Sequence, residues 1–108
     1  MVEILFSDVF KRRLKSLSKR YRKIKDDIQP IIDAIQSGDF SGDQIKGASC
    51  TVIKVRAKNS DIPTGKSGGY RLIYQVISPE TVILLLIYAK SDQSDISRDE
   101  ILKAMNDK

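Results

Sequence analysis

Residues 54–90 read KVRAKNSDIPTGKSGGYRLIYQVISPETVILLLIYAK, a stretch that is nearly all β-strand signal and carries its charges on alternate positions. Successive side chains of a strand point to opposite faces, so Lys54, Arg56 and Lys58 project together while Ile53, Val55 and Ala57 project the other way. In the next strand, 69–77, Arg71, Ile73 and Gln75 share one face, and Tyr70, Leu72, Tyr74 and Val76 share the other. Ser78, Pro79 and Glu80 then turn the chain into a third strand, 81–89, which is apolar on both faces until Tyr88 and Lys90. A strand buried on both sides belongs in the middle of a sheet.

The rest of the chain sets the scale of that sheet. With 108 residues, the length predicts one domain, 1–108, with a single core. Nineteen Lys and Arg stand against 14 Asp and Glu, and the excess is clustered: from Lys11 to Lys25 there are nine basic residues and no acidic one. Such a surface attracts polyanions, nucleic acid ahead of membrane; the alternative is a solvated helix face kept basic for solubility. The single cysteine, Cys50, excludes an internal disulfide and suits a reducing compartment. The longest apolar run, 82–88, is too short to span a bilayer, and no signal peptide is read at the start, so a soluble cytoplasmic protein is expected.

Upstream, 2–6 reads as an edge strand, and Ser7 or Asp8 is suited to cap a helix. Apolar residues then recur at Phe10, Leu14, Leu17, Tyr21, Ile24, Ile28, Ile31 and Ile35, in steps of four and three that form one helical stripe. A single helix over 7–35 would run about 44 Å, longer than the roughly 30 Å width of a small domain. A break between Ser18 and Asp27 into two antiparallel helices is therefore expected. Asp26 or Asp27 would cap the second helix and put Pro30 in its first turn; an earlier start would make Pro30 a kink. Gly38 ends that helix, and 37–43 is a loop. After the sheet, Ser97 and Glu100 have capping-box spacing and open a last helix over Ile101, Leu102 and Met105.

Chemistry is narrowed by elimination. Gly65-Lys66-Ser67 has the end of a phosphate loop, but Ser60 stands where the motif needs its first glycine, and Gly69 enters a strand where a helix is required. The segment instead reads as a strand connection, with Gly68 and Gly69 turning the chain and Lys66 at the rim. The absence of histidine excludes histidine general bases, triads and most zinc sites, and the three core strands carry no carboxylate pair. What remains is a sheet bearing Lys54, Arg56, Arg71, Tyr88 and Lys90. Such cations either hold a scissile phosphate and offset charge on its oxygens, or simply make cross-strand polar contacts.

The run Gly69-Tyr70-Arg71-Leu72-Ile73-Tyr74-Gln75-Val76, preceded by Lys54-Val55-Arg56 and followed by Ile87-Tyr88-Ala89-Lys90, resembles the RelE toxins of bacterial type II toxin–antitoxin systems. Within the RelE/ParE superfamily, Lys66-Ser67-Gly68-Gly69 and the stretch from Ile87 to Ser97 are similar to the HigB-like branch. The resemblance implies an α+β, microbial RNase-type fold of order β-α-α-β-β-β-α: a small, mainly antiparallel twisted sheet with a helical hairpin on one face. It further implies an endoribonuclease, an mRNA interferase that inhibits translation by cutting messages in the ribosomal decoding site, against 16S ribosomal RNA. The 2′-hydroxyl attacks, with no metal or cofactor. A cognate antitoxin is implied as partner, with operator DNA bound only through it, and no membrane.

Carried over by position, Arg71 matches the strand arginine at the scissile phosphate. Lys54 and Arg56 match two strand cations, and Lys90 matches the lysine after the last strand. Lys58, Lys66 and Tyr88 are expected to bind RNA, and Lys11, Arg12, Lys19 and Arg22 the ribosome. Ser91 and Ser97 stand where RelE proper has an arginine and a tyrosine, so those proton-transfer and stacking roles are either filled by other residues or weaker. Tyr88 is the candidate for stacking; equally, it closes the core edge with its hydroxyl outward. The ParE branch of the same fold poisons DNA gyrase without cutting RNA, and this is the alternative function.

Overall fold

The computed structural model describes residues 1–45, 50–62 and 68–106. Its elements run β1 (Glu3–Phe6), α1 (Asp8–Arg20), α2 (Ile24–Gln36), β2 (Asp43–Gln44), β3 (Thr51–Ala57), β4 (Tyr70–Ser78), β5 (Thr81–Ala89) and α3 (Arg98–Asn106). The five strands form one sheet in the order β1-β5-β4-β3-β2, antiparallel except for the parallel β1–β5 pair. This is the expected α+β arrangement with one addition: the two-residue β2, which begins at Asp43, the last residue of the stretch the sequence reads as loop, pairs with Ile53 and Lys54 of β3. β5 is flanked on both sides and buried from Val82 to Ala89, as its unbroken apolar run requires.

The helical stripe folds back on itself because the whole molecule measures 37 Å at its longest, less than one unbroken helix would need. Ser7 caps α1 through its hydroxyl, which accepts from the Phe10 N–H at 2.9 Å. α1 ends where Tyr21 turns to extended backbone. α2 starts at Ile24, earlier than an Asp26 or Asp27 cap requires, so those acids lie in its first turn and Pro30 lies inside the helix. Lys23 at the N-cap makes no side-chain cap bond; its N–H donates instead to Asp61, while Asp27 accepts from the N–H and hydroxyl of Ser60. Tertiary partners thus replace the local cap. Gly38, at φ +98°, closes α2 with its N–H on Ile35 and the Asp39 N–H on Ala34, the paired bonds of a Schellman end.

Both faces of the sheet are covered. Phe10, Leu14, Leu17, Ile24, Ile28 and Ile35 of the hairpin pack on Ile53, Tyr70, Leu72, Tyr74, Leu84 and Ile87. α3 packs Ile101, Ala104 and Met105 on the opposite face, against Ile73, Leu85, Leu86 and Tyr88. Burying each large side chain of these layers stabilises by roughly 1.5–3 kcal/mol. Leu102, expected in the α3 core, is 43% exposed, and the face that packs is Ile101, Ala104 and Met105, the i, i+3, i+4 spacing of one helical stripe. The Ser97 cap forms, donated to by the Glu100 N–H at 3.1 Å, but the Glu100 carboxylate also reaches Arg13 on α1 at 2.8 Å. No helix among the described residues is long and apolar enough to cross a membrane.

A bulge in β5 sets the facing of everything downstream. Ile73 pairs with Leu86 and Tyr74 with Leu84, leaving Leu85 as the extra residue. Leu85 and Leu86 consequently both face α3, and the alternation resumes with Ile87 and Ala89 toward the hairpin and Tyr88 toward α3. The hydroxyl of Ser7 holds the bulge by donating to the Leu85 carbonyl at 2.7 Å, while its N–H donates to the Leu84 carbonyl.

Candidate active site

Strand pairing brings three predicted residues into one row. Arg56 on β3 lies directly opposite Arg71 on β4, and Arg71 lies directly opposite Tyr88 on β5. All three face α3, together with Lys54, whose partner in the ladder is Ile73. Two arginines directly opposite one another repel, a local cost that a sheet tolerates where an anion is to be held between them. Arg71 is half-buried, and its guanidinium is fixed by bonds from Nη1 to the Gly68 carbonyl at 3.2 Å and the Tyr70 carbonyl at 3.3 Å. Just before it, Gly69 lets β4 enter close against the end of β3: its φ is +83°, and a Cβ there would lie 2.3 Å from the Ala57 carbonyl oxygen.

Lys90 follows β5, where its N–H donates to the Gly69 carbonyl at 2.9 Å and its ammonium donates to the Ser94 carbonyl at 2.7 Å. That bond folds the segment between β5 and α3 over the end of the sheet and delivers an unpredicted residue, Asp95. Its carboxylate accepts from Lys54 Nζ at 3.4 Å and from the Ile96 N–H at 2.8 Å. The Ile96 N–H first, then the charges of Lys54 and Lys90, hold the Asp95 carboxyl below the usual range, so it is ionised at neutral pH. Forty-one residues of chain separate Asp95 from Lys54. No local pattern marks it; its place depends on the fold of the β5–α3 connection.

Tyr88 corrects an expectation. Its side chain packs among Ile73, Ile96 and Ile101 and is 2% exposed, so the ring is not a stacking platform for a base. Burial foremost, and then Asp95, push its hydroxyl pKa up, while Arg71 pulls it down. It therefore stays protonated and closes the core edge. Lys58, just beyond β3, is exposed. Lys66 lies outside the described residues.

The four residues assigned to the ribosome are exposed, Lys11, Arg12 and Lys19 on α1 and Arg22 in the turn that follows. Members of the basic cluster also have partners on the chain: the half-buried Arg13 pairs with Glu100, and the exposed Arg20 pairs with Asp92 and lies over the Tyr21 ring at 4.9 Å. A wide groove of about 610 Å³ between α1 and α3, lined by Arg12, Arg13, Glu100 and Lys103, holds none of the row's cations. A crevice of about 220 Å³ adjoins the row, walled by Ile45, Lys54, Asp95, Ile96, Arg98 and Ile101.

A cationic row on a rigid sheet, next to a small crevice, is suited to gripping a phosphodiester. Residues 7–106 match the family described as the RelE toxin of the RelE/RelB toxin–antitoxin system. The chain belongs to the RelE toxin family. Two relatives, the mRNA interferase toxin RelE of Escherichia coli strain K12 and the mRNA interferase RelE of Shigella flexneri, are each 24% identical over 102 residues, which cover 93% of this chain and 97% of the relative. For this RelE-family chain, the five-stranded sheet and three helices agree with the fold expected from the resemblance.

Proposed function

We propose that this RelE-family chain is the toxin of a type II toxin–antitoxin system and cleaves messenger RNA on the ribosome, without a metal. The observation that carries the reading is the Arg56–Arg71 pair, set directly opposite on the site face with Lys54 beside it. In this reading Arg71 and Lys54 hold the scissile phosphate and offset charge as it builds on the phosphoryl oxygens. The 2′-hydroxyl of the upstream nucleotide attacks, and the 5′-oxygen of the downstream nucleotide leaves, so the upstream fragment ends in a cyclic phosphate. The names of both relatives support the activity. The gyrase alternative draws no support from these matches, which all name RelE.

The partners follow the same reading. A cognate antitoxin offers an acidic or amphipathic segment that covers Lys54, Arg56, Arg71 and Lys90, or blocks ribosome entry by bulk, and it supplies any contact to operator DNA. The exposed Lys11, Arg12, Lys19 and Arg22 meet ribosomal RNA, and the site face enters the decoding centre. Induction of the wild-type chain should arrest growth and give discrete cleavage stops in primer extension on a translated message, and co-expression of the neighbouring reading frame should abolish both. Growth arrest with intact messages would overturn the nuclease reading.

A further inference from the structure

Transfer of a phosphodiester to its own 2′-hydroxyl needs an acceptor for the hydroxyl proton, and this chain contains no histidine. Tyr88 is buried and protonated, and Lys54 and Lys90 are already engaged as donors to Asp95 and to the Ser94 carbonyl. Among the described residues, Asp95 is the carboxylate that touches Lys54, a cation on the same face as the row. Its side chain is 70% exposed, and a salt bridge that open stabilises the fold little, so its contact with Lys54 is poorly explained as a structural brace. The crevice explains it better. Lys54 and Asp95 form the polar wall, and Ile45, Ile96 and Ile101 form an apolar wall of the size of one sugar and the edge of its base.

We propose that this crevice is a ribonucleotide subsite in which the Asp95 carboxylate accepts the attacking 2′-hydroxyl and takes its proton. The inference rests on the nuclease reading above and adds the group that activates the nucleophile. A carboxylate repels a phosphate but accepts from a ribose hydroxyl, which is how acidic residues read the ribose of dinucleotides. The labour divides accordingly: Lys54 and Arg71 hold the phosphate, and Asp95 holds the sugar. Lys54 and Arg56 are two residues apart on one strand face, about 7 Å, which is one nucleotide step along an extended strand. As the 2′-oxygen bonds to phosphorus, its proton passes to Asp95. The bond from phosphorus to the 5′-oxygen breaks, and that oxygen takes a proton from the Lys90 ammonium. Proton exchange with water then restores both side chains.

The groups facing Asp95 are Lys54 from β3, Tyr88 and Lys90 from β5 and its end, and Arg98 from α3. Because its carboxyl is held below the usual range, the base form persists as pH falls through that range, and the acidic limb of the cleavage profile is displaced downward. The test uses programmed ribosomes carrying messages whose leaving 5′-oxygen is replaced by methylene, with either a 2′-hydroxyl or a 2′-deoxy sugar at the cleavage nucleotide. Neither message is cut, so affinity is read directly; single-turnover cleavage is measured separately on natural message.

Wild-type protein should prefer the hydroxyl form by about 5- to 10-fold, the worth of one hydrogen bond. Asp95→Ala should lose that preference, and Asp95→Asn, which keeps the shape but cannot take a proton, should cleave at least about 100-fold more slowly. Unchanged melting temperatures would exclude misfolding of variants at so exposed a position. Cleavage within threefold of wild type in both variants overturns the proposal. So does slower cleavage with the 2′-hydroxyl preference intact in Asp95→Ala, which would assign Asp95 to holding Lys54. A wild-type chain that cuts no message overturns the nuclease reading and this inference with it.

Discussion

Arg71 combines three properties that a phosphate ligand needs: a permanent charge, a planar donor edge and a fixed position, anchored on the Gly68 and Tyr70 carbonyls. Arg71→Ala should lower message cleavage by about 10²- to 10³-fold, the loss expected when one preorganised donor to a developing oxyanion is removed. Stability should change little, because removing one of two directly opposed arginines relieves repulsion while it removes the anchoring bonds. Arg71→Lys keeps the charge but not the planar edge, and it should rescue binding more than rate. Equal cleavage by folded Arg71→Ala and wild type would detach the row from the chemistry. The alternation of residues 54–58 and 69–77 was enough to put Lys54, Arg56 and Arg71 on common strand faces. Asp95 was not legible, because a carboxylate in a polar connection has no periodicity to mark it, and the burial of Tyr88 depends on where α3 comes to rest.

Among the elements, β5 decides the site through its bulge, and Ser7 decides the bulge. The Ser7 hydroxyl accepts from the Phe10 N–H and donates to the Leu85 carbonyl, so one buried atom caps α1 and satisfies the strand's irregular residue. Ser7→Ala should cost about 0.5–2 kcal/mol for the lost cap and a further roughly 1–3 kcal/mol for an orphaned buried carbonyl. Chemical denaturation should show a lower midpoint with an unchanged slope. A variant as stable as wild type would mean that water or a shifted backbone replaces both bonds. The bulge matters because one residue more or fewer before Tyr88 reverses its face. Without Leu85 as the extra residue, Lys90 would follow the hairpin side, away from Arg71.

At the scale of the molecule, charge and layering work together. The hairpin presents exposed Lys11, Arg12, Lys19 and Arg22, while Arg13 reaches Glu100 of α3 and Gln93 of the β5–α3 connection, and Arg20, itself exposed, pairs with Asp92 of that connection. The basic cluster thus has two parts, a surface for polyanions and two arginines that lie against α3 and the segment that carries Asp95, through partly exposed pairs that add little stability. Neutralising Lys11, Arg12, Lys19 and Arg22 together should weaken ribosome association and flatten its salt dependence, by about one unit of logarithmic slope for each phosphate that is no longer neutralised. Co-sedimentation across a salt series measures both. An unchanged slope would leave this surface a role in solubility alone.

The sequence by itself determined the elements and their faces, because a period of two or of 3.6 is written by neighbours within one strand or helix. It offered Ser7 or Asp8 as a cap and Gly38 as a helix end, put β5 inside the sheet, and gave the cations of β3 and of β4 each a face of their own strand. Only the tertiary structure decided what depends on residues far apart: the early start of α2 on Asp61, the two-residue β2, the bulge that turns Tyr88 and Lys90 toward Arg71, and the arrival of Asp95 at Lys54. Each of these is a choice of partner across the fold. Local stereochemistry leaves such choices nearly equal in energy, and packing of the two faces on one sheet selects among them.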